Sequence, residues 1–215
     1  MDPGGERAME YLLEGVRDFT GHDFLQFKEL FSTLEKQQQP HSLFITCSDS
    51  RIVPTMITKT LPGELFIIRN VANLVPYHHD SEEFLATTSA IEYAVQVLNV
   101  ENIIVCGHSN CGGCNALYAP EEQLERVPHT RKWLELARPV KDMVERDPAL
   151  LEDIVKREWV TEQLNVVEQR KHLLTYPYIA QRVDEGKLNI YGWYYMIGTG
   201  EVFNYNEQEH RFVLI

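Results

Sequence analysis

A chain of 215 residues, 44% of them hydrophobic, can bury one substantial core and is slightly long for a single average domain. Its 20 Lys and Arg face 32 Asp and Glu, a formal net charge of -12. That balance argues against nucleic acid, an anionic membrane surface or any polyanion as the main partner, although a small anion can still bind a local arginine. No run approaches the ~18 apolar residues of a membrane span. The opening "MDPGGERAMEYLLEGV" lacks the apolar centre of a signal peptide, so a soluble, cytoplasmic chain is expected.

Residues 1–40 read as a helical arm. Two helices are expected, broken near "TGHD" at Gly21, with Phe24, Phe27, Phe31 and Leu34 at helical spacing in the second. Such a stripe suits packing on the chain's own core or on a partner subunit. Pro40 ends the segment.

From residue 41 to 215 the pattern alternates between strands and helices. "SLFITC" and "ELFIIRN" are short apolar strands. "SEEFLATTSAIEYAVQVLNV" is an expected helix, opened by acidic residues, with Phe84, Leu85, Thr88, Ile91, Ala94, Val95 and Leu98 on one face. "NIIVCGHSN" is a third strand and "CGGCNALYAP" begins a short helix. A charged helical insertion follows, then a fourth strand in "KLNIYGWYYMI". "GEVFNYNEQEHRFVLI" is expected to hairpin back through a turn at 204–208. Strands apolar on both faces and separated by helices predict an α/β fold, a mainly parallel sheet flanked by α-helices.

The chemistry concentrates at strand ends. "ITCSDSRIV" delivers Cys47, Asp49 and Arg51 at alternate positions, and "VCGHSNCGGC" supplies His108 and Cys111 three residues apart. In parallel α/β sheets ligands bind outside the carboxyl ends of strands, so adjacent strands can bring Cys47, His108 and Cys111 to one point. Two thiolates and an imidazole form a soft set suited to Zn²⁺, and three protein ligands leave the fourth position open, as in catalytic sites. Taken singly, each cysteine could be a small buried hydrophobe, His108 a helix cap, and Asp49–Arg51 an ordinary ion pair. Cys106 lies inside its strand. Cys114 would make either a fourth, structural ligand or a C-x-x-C redox pair with Cys111, and the redox pair leaves Cys47, His108 and Asp49–Arg51 without a task.

"CSDSR", "GELFIIRNVANLV", "AIEYAV" and "IIVCGHSNCGG" closely resemble the β-class carbonic anhydrases, from about Ser42 to Gly113 and again at "LNVVEQ" and "IYGWYY". The resemblance implies one zinc per subunit on Cys47, His108 and Cys111, with Asp49 and Arg51 as the catalytic dyad. It also implies a substrate pocket from Gln38, Phe66, Val71, Tyr93 and Gly112, with Gln38 and Tyr93 contributed across a dimer interface. The implied reaction is reversible hydration of carbon dioxide to bicarbonate by zinc-bound hydroxide. Hydrolysis of carbon disulfide or carbonyl sulfide on the same fold is the alternative. The implied assembly is a homodimer whose N-terminal helices clasp the neighbour, in many members paired into a homotetramer. Some members hold bicarbonate in an inactive state with a tryptophan, an arginine and a tyrosine. Here Arg69 and Tyr195 match, but Phe44 stands at the tryptophan position and lacks its N–H donor, so Arg69 is expected to be structural.

Overall fold

The computed structural model describes residues 3–79 and 83–215. The chain divides into two units, Met1–Gln38 and Gln39–Ile215. In the first, α1 (Pro3–Asp18) runs into a widened helical turn, Phe19–Asp23. The chain continues through Phe24–Gln26 into α2 (Lys28–Leu34). The expected break at Gly21 is therefore a π-type turn, not a loop. One extra residue in that turn shifts the helical register. Phe19 consequently joins Phe24 and Phe31, with Phe24 and Phe31 stacked at 5.4 Å, while Phe27 sits at a kink, 38% exposed, and is not part of the group. Tyr11, Leu12 and Val16 of α1 are also exposed.

The second unit is built on a six-stranded sheet of order β2-β1-β3-β4-β5-β6. Its strands are β1 (Ser42–Cys47), β2 (Leu65–Asn70), β3 (Asn102–His108), β4 (Asn189–Tyr195), β5 (Val202–Asn206) and β6 (Arg211–Leu214). The first four are mutually parallel, and β5 and β6 add antiparallel pairs. Alternation, with both faces covered, explains why β1 is buried throughout and β3 from Ile103 onward. Leu43, Ile45, Ile103 and Val105 join the larger core with Ile91, Val95, Val166 and Tyr176, whereas Phe44, Ile104 and Cys106 face the other side with Trp193.

Two expected boundaries move. The helix placed at residues 81–100 begins only at Leu85, as α3 (Leu85–Glu92), and ends in a π-type turn, Tyr93–Val97. Phe84 before it is left-handed (φ 59), so Glu83 precedes the helix instead of opening it, and Leu85 is 56% exposed. Residues 80–82 lie outside the described residues. The C-terminal turn falls at 207–210, not 204–208. Asn204 is still paired with Trp193, and the side chain of Asn206 accepts hydrogen bonds from the backbone N–H groups of Gln208 and Glu209.

The helical insertion supplies the element that covers the sheet over the site. After α4 (Gly112–Asn115), which follows β3 directly, the 20-residue α5 (Ile154–Leu173) begins with the Asp153 side chain capping the Lys156 N–H. It lies against β3 and β4 at two glycines. A Cβ added to Gly107 would come within 2.6 Å of Val166 Cγ2, and one on Gly192 within 2.6 Å of Arg170 Cδ. Gly107→Ala is therefore expected to destabilise the fold by about 1–3 kcal/mol, the usual cost of overpacking. Urea unfolding should show a lower midpoint at unchanged slope, and a second change, Val166→Ala, should restore much of the loss.

Candidate active site

β1 and β3 are neighbours, yet the chain leaves β1 toward β2 on one side and reaches β4 on the other. Their carboxyl ends flank the point where strand order reverses, the ligand-binding crevice of open α/β sheets. Cys47 is the last residue of β1, His108 the last of β3, and Cys111 immediately precedes α4. All three are buried, and their ligand atoms lie within 4.8 Å of one another.

The donor set fits zinc. The two sulfurs are 3.9 Å apart. Thiolates at tetrahedral angles with Zn–S of ~2.3 Å would be about 3.8 Å apart. His108 sets Nδ1 3.0 Å from the Ser109 carbonyl, which requires that nitrogen to carry the proton and leaves Nε2 as the lone-pair atom. Nε2 is buried and has no hydrogen-bond partner among the described residues. A buried imidazole lone pair beside two sulfurs is costly unless something binds it. The hydrogen bond from Cys111, followed by burial, pushes the Cys47 thiol up to about 12. Cys111 is also raised, chiefly through Cys114.

The loop after β1 carries the dyad. Arg51 donates from Nε to Asp49 Oδ1 (2.9 Å), from Nη2 to Oδ2 (2.7 Å), and from its backbone N–H to Oδ1 (3.0 Å). These bonds hold the Asp49 carboxyl well below the usual carboxylate range. Asp49 Oδ2 lies 4.0 Å from His108 Nε2, so the carboxylate borders the ligand cluster. Arg69 donates to the Cys47 and Asp49 carbonyls and so braces the loop. Phe44 is fully buried, edge-on to Trp193 at 5.9 Å.

Of the other expected pocket residues in the second unit, Val71 and Gly112 lie in the segments next to the cluster, and Phe66 and Tyr93 do not. Val71 follows β2 and is 37% exposed, and Gly112 opens α4 with free space where a Cβ would stand. Phe66 and Tyr93 meet each other, ring centroids 6.0 Å apart. Phe66 pairs with Leu43 while Asn70 pairs with Cys47. At a strand rise of ~3.3 Å, Phe66 is thus roughly 13 Å along the sheet from the ligand cluster. Gln38 is exposed and belongs to the N-terminal unit.

Sequence reasoning did not single out the polar stripe of α5. Glu162 accepts the Cys111 N–H at 2.8 Å and the Tyr194 O–H at 2.6 Å. Burial raises its carboxyl above the usual carboxylate range, and hydrogen bonds from Tyr194, Cys111 and Asn110 offset only part of that rise. Asn165 donates to the Ala72 carbonyl, and Gln169 accepts the Val75 N–H. These contacts fasten the loop after β2, where Ala72 and Asn73 are both left-handed (φ 62 and 48). The available signal is polar residues recurring at 162, 165, 169 and 172, in phase with the apolar face of Val166 and Leu173.

The family model for carbonic anhydrases matches residues 42–202. The solved structure of the β-carbonic anhydrase CcaA superimposes with a TM-score of 0.91 at 36% identity, covering 97% of this chain and 100% of that one. The chain belongs to the β-class carbonic anhydrase family. A carbonic anhydrase of Helicobacter pylori strain J99 is 40% identical over 200 residues, 92% of this chain and 90% of that protein. One from Synechococcus elongatus is 39% identical over 196 residues, 90% of this chain and 70% of its own length. A structure described as one of two tetrameric β-carbonic anhydrases from Sordaria macrospora gives a TM-score of 0.79 at 32% identity, covering 92% of this chain and 96% of that one. Membership of the family and the Cys–His–Cys cluster together make the chain an enzyme of carbon dioxide hydration. Among the described residues no helix is long and apolar enough to cross a membrane.

Proposed function

We propose that the enzyme converts carbon dioxide and water to bicarbonate and a proton with one zinc ion per subunit, held by Cys47, His108 and Cys111, and with Asp49 and Arg51 orienting the reactants. The observation that carries this reading is the buried Cys–His–Cys cluster bordered by a carboxylate already fixed by an arginine. Zinc held there supplies Lewis acidity, lowering the pKa of a coordinated water towards neutrality. Asp49, kept ionised by Arg51, is acceptor-only and would accept a hydrogen bond from the attacking oxygen, leaving a lone pair of that oxygen aimed at the carbon. Arg51 in turn donates to the Asn110 carbonyl at 3.0 Å, so the dyad is anchored to the turn that carries Cys111. Carbon dioxide has no charge, and a small apolar slot suffices for it.

The minimal assembly in this reading is a homodimer, with a homotetramer as the larger form. Phe66 and Tyr93 form a pair well away from their own chain's ligand cluster, and the first unit presents exposed apolar residues on α1. A second copy accounts for both, with Gln38 and Tyr93 serving its partner's pocket. The function is tested by stopped-flow carbon dioxide hydration with zinc stoichiometry on the same sample. Turnover with about one zinc per chain is expected, and a metal-free active enzyme would refute the zinc assignment. Sedimentation at low concentration is expected to give a dimer or larger species. An active monomer would contradict the shared pocket.

A further inference from the structure

The turn 108–111 carries two of the three ligands, and its geometry is enforced from two sides. Asn110 at its centre is left-handed (φ 55), a conformation that a non-glycine residue keeps when its surroundings impose it. On the dyad side, Arg51 holds the Asn110 carbonyl at 3.0 Å. On the helix side, Glu162 Oε1 holds the Cys111 N–H at 2.8 Å. Glu162 is only 3% exposed, and Tyr194 of β4, 1% exposed, donates to its other oxygen at 2.6 Å. The mechanism proposed above gives this carboxylate no part in the reaction. Burying one is expensive unless it is fully engaged, and both its oxygens are.

We propose that Glu162 is a positioning residue for the metal site: backed by Tyr194, it sets the 108–111 turn so that Cys111 faces Cys47 and His108 while the Asn110 carbonyl meets Arg51. A path of hydrogen bonds thus runs from β4 through α5 and the turn to the dyad. Partners of this kind outside the ligand shell fix ligand orientation, and their loss typically costs about 10–100-fold in metal affinity or activity. The inference rests on the zinc reading above.

The test uses the full chain with Glu162→Ala, Glu162→Gln and Tyr194→Phe. Zinc affinity is measured by chelator competition, and site geometry by the absorption spectrum of the Co²⁺-substituted protein. Glu162→Ala is expected to weaken zinc by about 10–100-fold and to alter the thiolate–cobalt bands, with kcat/KM falling alongside. Glu162→Gln keeps an acceptor for the Cys111 N–H and should restore most of the affinity and the spectrum. Tyr194→Phe should lie between them, about tenfold weaker than wild type. A merely structural role would lower the melting temperature of the metal-free protein and leave the cobalt spectrum unchanged. The proposal is overturned by a folded Glu162→Ala protein with wild-type zinc affinity and cobalt spectrum. If that variant does not fold, wild-type values in Tyr194→Phe overturn it instead. A wild-type protein that takes up no zinc would remove the reading beneath the proposal, whereas zinc-binding wild type with unaffected variants removes the role of Glu162 alone.

Discussion

Cys111→Ser is expected to lose bound zinc and carbon dioxide hydration together. The substitution is nearly isosteric at a position 1% exposed, and the backbone N–H that Glu162 holds is unchanged, so the fold should survive. What is lost is the ligand. A serine hydroxyl is harder and far less acidic than a thiol, and it leaves one sulfur and one imidazole for a metal that prefers a soft set of three or four. The fall should exceed the ~10–100-fold typical of partners outside the ligand shell. Metal analysis after dialysis, alongside stopped-flow hydration, reads both losses. Full zinc occupancy in a folded Cys111→Ser protein would mean that the cluster is not the metal site. A pH dependence accompanies this. The Cys47 thiol of the metal-free pair is pushed up to about 12 by Cys111 and by burial. Zinc must displace thiol protons as it binds, so apparent affinity should rise with pH, as chelator competition at two pH values can measure.

The strands and the Cys–His–Cys cluster were legible because each rests on a local pattern. The unbroken apolar runs at 42–47 and 102–108 are β1 and β3, and parallel pairing alone brings residues at their carboxyl ends together. Asp49 and Arg51 were equally accessible, since two residues separated by one position in a tight loop can meet without help from the rest of the fold. Turns were read less well. Phe84 adopts a left-handed conformation that sequence pattern does not favour, so the helix at Leu85 begins later than its acidic flank suggests. The π-type turn at Phe19–Asp23 changes which phenylalanines meet, because periodicity assumes a constant number of residues per turn.

Glu162 illustrates a different obstacle. In a helix with Lys156, Arg157, Glu158 and Glu168, one more glutamate reads as solvated surface. Only its phase with Val166 and Leu173 marks it as inward-facing, and only the fold reveals that the Cys111 N–H waits there. Phe66 and Tyr93 were singled out as pocket residues through resemblance alone. Neither spacing nor the register of a single chain brings them to the Cys–His–Cys cluster.

Asp49→Ala is expected to separate metal binding from catalysis. The carboxylate lies beside the ligand cluster, with Oδ2 4.0 Å from His108 Nε2, and all three ligands remain in the variant. Zinc content should therefore stay near one per chain. Hydration should fall by about 10²-fold, because the attacking oxygen loses the acceptor that orients it and misplacement of a reacting group by ~1 Å can cost that much. The Arg51 side chain also loses a partner bound through both carboxylate oxygens and keeps only the Asn110 carbonyl, while Arg69 still braces the loop through the Cys47 and Asp49 carbonyls. Arg51→Lys should give a smaller loss in the same direction: an ammonium keeps the charge but cannot reproduce the two-pronged geometry. Stopped-flow kinetics with metal analysis on both variants checks the order. If Asp49→Ala turned over like wild type, the ion pair would be a surface interaction, and orientation of the nucleophile would have to come from the ligands themselves. If zinc were lost with the carboxylate, Asp49 would belong to the metal's binding set. Retained zinc with a steep loss of rate is the outcome that the Asp49–Arg51 geometry requires, because that pair is built to fix a carboxylate beside the metal site and not to hold the metal.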